Sequence, residues 1–199
     1  SRPTKPVGFV VAARDMEDAM IEGKMINLRA REMGDLDRNY RWINDREVTR
    51  HLGMRYPISL AAEEAWMREG TAKSMAFGAS VFFAIETKDG EHIGNIAFHE
   101  MSAERRKARL GVAIGEKAYW SKGYGTDAML TFLRFAFDEM NLHRVDLTVD
   151  ADNPRAIACY RKCGFVEEVR MRQARYTRGQ YGDQLVMGVL RDEFYALHG

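Results

Sequence analysis

Residues 25 to 32, MINLRARE, alternate apolar and polar side chains through Ile26, Leu28 and Ala30. That two-residue period predicts a half-buried strand. Residues 34 to 51 change to a helical spacing that begins near Asp35 and carries Leu36, Tyr40, Trp42 and Ile43. A second helix is predicted in SLAAEEAWMREGTAKS, with Ser59 as its N-cap and Glu63 and Glu64 in its early turns. Two β-rich runs then flank Lys88-Asp89-Gly90 within VFFAIETKDGEHIGNIAFHEM, and Asp-Gly between such runs predicts a hairpin. KARLGVAIGE, residues 107 to 116, adds a further strand. The first half therefore reads as a strand, two helices and an antiparallel meander.

The second half has a different pattern. Thr126 to Met140 is amphipathic, its polar stripe marked by Asp127, Thr131, Arg134 and Asp138. HRVDLTVD sets Val145, Leu147 and Val149 on one face of a strand. DNPRAIACYRKCGF is a short helix with well-marked ends: Asp152 or Asn153 caps it, Pro154 suits its first turn, and Gly164 suits a left-handed exit. Residues 165 to 190 supply two last strands around the turn RGQYGD. The expected fold is α/β (α+β), with a mixed central sheet of about seven strands and helices on both faces.

Composition narrows the class of protein. A chain of 199 residues with 46% hydrophobic content suits one domain. Thirty basic residues against 29 acidic leave a net charge of +1, which argues against a nucleic-acid-binding surface. Cys159 and Cys163 lie four apart, no CxxC or HExxH pattern occurs, and the five histidines are scattered. No metal site is expected, and two reduced thiols on one helix face fit a cytoplasmic protein. Arg2 and Lys5 precede a short apolar run, Val7 to Ala13, but nothing approaches the roughly 18 apolar residues of a membrane span. Residues 1–22 read as an N-terminal extension that pairs with a neighbouring strand or subunit, and residues 23–199 as the domain.

The candidate chemistry lies in AYWSKGYGTDAML, residues 118 to 130. The peptide N–H groups from Lys122 to Thr126 sit at the N-terminus of the predicted 126–140 helix, where they lack intrahelical partners and the helix dipole is positive. Gly123 and Gly125 let a ligand approach the backbone closely, so Lys122, Gly123, Tyr124, Gly125 and Thr126 form a phosphate cradle, or else a plain turn into a helix. Gly123 to Ala128 formally matches the dinucleotide fingerprint G-x-G-x-x-A, but six residues separate it from the preceding strand and that strand belongs to a meander. A Walker loop is absent.

The loop resembles instead the acyl-CoA loop of the GNAT acetyltransferase superfamily: Gln or Arg, two residues, Gly, one residue, then Gly or Ala. Trp120 stands in the first place, a departure from that pattern. WINDREV, NLHRVDLTVDADNPRAIACYRKCGF and RDEF resemble, in the same order, further segments of the branch that holds ribosomal-protein N-terminal and spermidine N-acetyltransferases. The resemblance spans about residues 25 to 195. It implies a parallel pair of strands, 107–115 and 143–150, that splay at their C-terminal ends to admit pantetheine, with backbone pairing near Val112 and Ile114.

The same resemblance implies acetyl-CoA as cosubstrate, an amine acceptor (a protein N-terminus, a polyamine or another small amine) and direct acyl transfer. A homodimer or higher homo-oligomer is expected as well. Asn153 falls where the family binds pantetheine, and it also suits a helix cap; the two roles coexist. Tyr160, seven residues on, faces the same side of the helix. It reads as a core aromatic by period alone, and as the general acid for the departing thiolate within N-P-R-A-I-x-x-Y-x-x-x-G-F. His99 and Glu100 end the strand IGNIAFHE on opposite faces, and Glu100 is named as the general base. A non-catalytic acyl-CoA-binding sensor or structural module is the alternative function.

Overall fold

A computed structural model describes residues 20–54, 56–73 and 80–199. The elements run β1 (Ile21–Glu22), β2 (Ile26–Ala30), α1 (Leu36–Ile43), α2 (Leu60–Lys73), β3 (Val81–Thr87), β4 (His92–Ser102), β5 (Lys107–Ile114), α3 (Tyr124–Asp138), β6 (Arg144–Asp150), α4 (Pro154–Lys162), β7 (Val166–Thr177), β8 (Gln180–Leu190) and α5 (Arg191–His198). One mixed sheet results, ordered β1-β2-β3-β4-β5-β6-β8-β7. It has eight strands, one more than the pattern predicts, because Ile21–Glu22 pairs antiparallel with β2. Most of the segment read as an extension, residues 1–19, lies outside the described residues.

The periodicity of β3 shows how the layers form. Successive side chains of a strand point to opposite faces. Phe83 accordingly meets Phe132 and Phe135 of α3, while Phe82 meets Trp66 of α2. Helices α1 and α2 therefore cover one face and α3 the other. Phe132 also stacks on Phe98 of β4, with centroids 4.0 Å apart, and is fully buried. Helix α5 packs beside α3 through Phe194 against Phe137.

Local chemistry explains where the elements begin and end. The hairpin forms at Lys88–Gly90, with Gly90 at φ 82° and its N–H donating to Thr87 O. The Ser59 hydroxyl accepts from Ala62 N–H as the predicted cap of α2. The helical stretch at 34–51 is not continuous: α1 stops at Ile43, and a separate 3-10 turn spans Val48–His51. Asn44 causes the break by donating to Tyr40 O and Ile58 O and accepting from Ile58 N–H, after which Asp45 accepts from Glu47 and Val48 N–H and starts the next turn. The last hairpin turns at Arg178-Gly179, both at positive φ, so Gln180 to Asp183 already belong to β8.

Strand β6 departs from simple alternation. Val145, Leu147 and Val149 are buried as expected, but so are Asp146 and Asp150 on the opposite face. Buried carboxylates require partners. Arg109 and Lys107 face Asp146, and His51, Gln184 and Arg175 face Asp150.

Candidate active site

β5 and β6 are the parallel pair, and their pairing stops early. It runs through Lys107↔Arg144, Ala108↔Val145 and Arg109↔Asp146 only, although β5 continues to Ile114 and β6 to Asp150. The strands splay beyond that point. Gly115 N–H donates across to Ile93 O on β4, so alternation turns the backbone groups of Val112 and Ile114 toward the gap. The gap opens into a cleft of about 540 Å³ between β5, β6, α3 and α4.

The glycine loop closes one end of this cleft. Gly123 caps α3 at φ 96°, a left-handed conformation that only glycine adopts without cost. The first backbone bond of α3 runs from Asp127 N–H to Gly123 O, which leaves the N–H groups of Tyr124, Gly125 and Thr126 ahead of it without intrahelical acceptors. Gly123, Gly125 and Thr126 line the cleft. Lys122 and Tyr124 do not line it: Lys122 is exposed and the Tyr124 ring packs on Tyr119.

Trp120, the departure from the family loop pattern, has a definite role. Its indole N–H donates to Ile114 O at 2.7 Å, and Arg155 of α4 lies over its ring at 4.0 Å. The tryptophan thus ties the loop to the end of β5 and occupies one of the two carbonyls the sequence assigns to ligand pairing. It also holds a guanidinium at the rim of the cleft, where an anion would approach. Nothing in the spacing pointed to Arg155. Asp127, read as part of a polar stripe, instead accepts from the N–H groups of Lys24, Met25 and Ile26 and fixes the β1–β2 turn on α3.

Helix α4 brings Asn153 and Tyr160 to the same cleft. Asn153 is the N-cap, its Oδ1 accepting from Ala156 N–H at 3.2 Å. Burial pushes the proton affinity of the Tyr160 phenol up, and the neighbouring Cys159 and Cys163 add to the effect. The phenol therefore stays protonated throughout the neutral range. Cys163 is in the core, and Cys159 lies with its Sγ 3.3 Å from Thr126 Oγ1.

A second cavity of about 320 Å³ lies on the other face of β5, under α1 and α2. It shares Val48, Leu52, Gly111, Val112 and Ala113 with the first, so the two meet at the middle of the strand and beside the Val48–His51 turn. His99 lines this second cavity, with its Nε2 3.3 Å from where a Cβ on Gly111 would stand. Burial lowers the His99 proton affinity, opposed by Glu100. Glu100 itself lies elsewhere. It sits at positive φ in an irregular stretch of β4, its side chain is 65% exposed and paired with Arg109 at 2.9 Å, and it lines neither cavity. The structure thus brings together Val112, Ile114, the glycine loop, Asn153 and Tyr160, but not Glu100.

Among the described residues one cluster has metal-ligand chemistry, His51 with Asp150 and Asp152. The Arg175 guanidinium already lies against Asp150 and close to His51. No helix among the described residues is long and apolar enough to cross a membrane.

A mixed sheet with a splayed parallel pair, β5 and β6, beside a glycine-opened helix is the architecture of the GNAT fold. The chain belongs to the GNAT acetyltransferase family, whose domain model matches residues 26–166, and it is an N-acetyltransferase of that family. It is 28% identical over 174 residues to the spermidine N(1)-acetyltransferase of Vibrio cholerae, covering 85% of this chain and 95% of that one. It is 29% identical over 157 residues to the SPbeta prophage-derived N-acetyltransferase YokL of Bacillus subtilis, covering 78% and 85%. The crystal structure of spermidine N-acetyltransferase from Vibrio cholerae in complex with CoA and spermine superposes with a TM-score of 0.77 at 26% identity, covering 86% and 98%.

Proposed function

We propose that this N-acetyltransferase takes acetyl-CoA in the β5–β6 cleft and transfers its acetyl group directly to a primary amine held in the cavity across β5. The observation that carries the reading is the meeting of the two cavities at Gly111–Ala113, with Tyr160 lining one and His99 the other. The donor side fits an acyl-CoA by its chemistry. The N–H groups at the start of α3 and the nearby Arg155 suit a pyrophosphate, and Val112 turns backbone donor and acceptor toward an extended amide chain. Asn153 keeps its amide nitrogen available while its Oδ1 caps the helix.

The acceptor must arrive as the free amine, because an ammonium has no lone pair. In this reading His99, neutral through burial, accepts the proton that the attacking nitrogen sheds, in preference to the exposed and paired Glu100. The amine nitrogen attacks the thioester carbonyl, the C–N bond forms, and the C–S bond breaks as the tetrahedral intermediate collapses. The departing sulfur receives a proton from the Tyr160 phenol, the nitrogen's proton passes to His99, and proton exchange with water restores the phenol and the neutral imidazole. Neither cysteine takes part.

The test is thiol release from acetyl-CoA on addition of primary amines, with the acetylated amine identified by mass. Amine-dependent release in a 1:1 ratio to amide is expected. Acetyl-CoA should also raise the melting temperature, as a ligand of the native state must, and NAD should not. Stabilisation by NAD alone would overturn the assignment of the cleft.

A further inference from the structure

The second cavity carries information on the acceptor that the relatives' names do not. Its walls are mainly apolar, with Trp42, Trp66 and Phe82 as the aromatic members. Its one carboxylate among the described residues is Glu63, which is only 3% exposed. Burial raises the proton affinity of Glu63, and the Arg31 guanidinium opposes that rise, so a fixed positive charge already stands near this carboxylate. Arg31 is itself 6% exposed and lies 4.4 Å from the Trp66 ring centroid and 4.7 Å from that of Phe82.

The remaining polar groups are already engaged with one another. Asn95 donates to Asn39 at 2.7 Å, Asn39 contacts Met67 Sδ, and His99 Nδ1 is 3.3 Å from Ser80 Oγ. A polycation would meet one carboxylate, Glu63, which is buried and already has the Arg31 guanidinium in its neighbourhood. Each further ammonium taken from water without a counter-charge is costly. An apolar body, in contrast, gains from every aromatic wall it covers. The volume is at the lower end for small-molecule sites.

We infer that the acceptor is a small primary monoamine with an aromatic or aliphatic body, bound against Trp66 and Phe82, and not a polyamine. The inference rests on the acetyltransferase reading above and deepens it. It makes Trp66 and Phe82 specificity-determining residues.

The experiment compares phenethylamine, spermidine, spermine and a pentapeptide with a free α-amine, with acetyl-CoA saturating. Phenethylamine should show a kcat/KM at least about 10-fold above spermidine, the range that apolar contacts supply. Equal or better turnover of spermidine, spermine or the peptide overturns the inference. Calorimetric binding of the same four amines to the CoA-saturated protein is read in parallel. Selective binding of phenethylamine without turnover upholds the acceptor class while sinking the catalytic reading, and failure of phenethylamine to bind overturns the class. Trp66→Ala provides a second readout, since this residue is 46% exposed; an unmoved acetyl-CoA KM reports that the variant is folded. The phenethylamine KM should rise by roughly 10-fold with the acetyl-CoA KM unmoved; an unchanged phenethylamine KM contradicts the proposed wall.

Discussion

Gly125 separates a phosphate cradle from a simple turn. It stands one residue into α3 at an ordinary helical conformation, and a Cβ built there has a single neighbour within 4 Å, Ile114 Cγ1 at 3.7 Å. That is a normal contact, so Gly125→Val fits the ligand-free fold. Helix propensity changes by only a few tenths of a kcal/mol, and in valine's favour. The melting temperature should therefore stay within about 2 °C. The added methyl groups enter the cleft where phosphate oxygens would approach the N–H groups of α3. One lost hydrogen bond to a charged oxygen is worth about 1.5–3 kcal/mol, which is about 10- to 150-fold in Kd. Isothermal titration with acetyl-CoA measures it. Gly123→Ala is the contrasting control, because φ 96° strains any side chain. It should lower stability by about 1–2 kcal/mol, roughly 2–8 °C in a domain of this size. A folded Gly125→Val variant that binds acetyl-CoA normally would refute the cradle.

Two further outcomes follow from charged groups near the acceptor side. Burial by itself would raise the proton affinity of Asp35, but hydrogen bonds from Arg29, His92 and Glu32 N–H outweigh it and hold the carboxyl well below its usual range. Its stabilisation is thus present above the unfolded pKa and disappears as pH falls below about 4 toward the folded value. Asp35→Asn should cost about 3–5 kcal/mol at neutral pH and flatten the acid limb, as urea melts between about pH 3 and 7 would report; wild-type stability in the variant would contradict the network. For His99, a lowered pKa keeps the ring neutral until pH drops below about 6.5, so the acid limb of kcat should lie beneath that value. His99→Gln should reduce kcat roughly 10²-fold and remove this limb, and a retained limb would assign the base elsewhere.

The sequence disclosed local features far better than long-range ones. The Asp-Gly hairpin, the α4 cap (Asn153 of the two residues offered) with Pro154 and Gly164, and the α3 helix each depend on residues within a few positions, and each forms, α3 two residues earlier at both ends than the Thr126–Met140 expected. The break at Asn44 was hidden because its cause is Ile58, fourteen residues away. Asp146 and Asp150 defeated the alternation rule because their partners come from β5, β8 and the Val48–His51 turn. The residues that the family resemblance singles out, among them Gly123, Gly125, Thr126, Asn153 and Tyr160, line one cleft, and they lie in continuous segments. The second cavity gathers Trp42, Glu63, Phe82 and His99 from four elements, and no spacing in the chain announces that. Glu100 differed from the expectation for a local reason: at φ 48° its side chain turns to Arg109.

Direct transfer with Tyr160 as proton donor is tested best by a single-turnover experiment on Tyr160→Phe. The substitution removes one hydroxyl and keeps the ring in its contact with Phe165, so the fold should be intact. Rapid-quench measurement with enzyme in excess over acetyl-CoA isolates chemistry from product release. The rate of acyl transfer should fall by roughly 10²-fold or more, with acetyl-CoA affinity changed only slightly. A folded variant that transfers the acetyl group at the wild-type single-turnover rate would contradict the account.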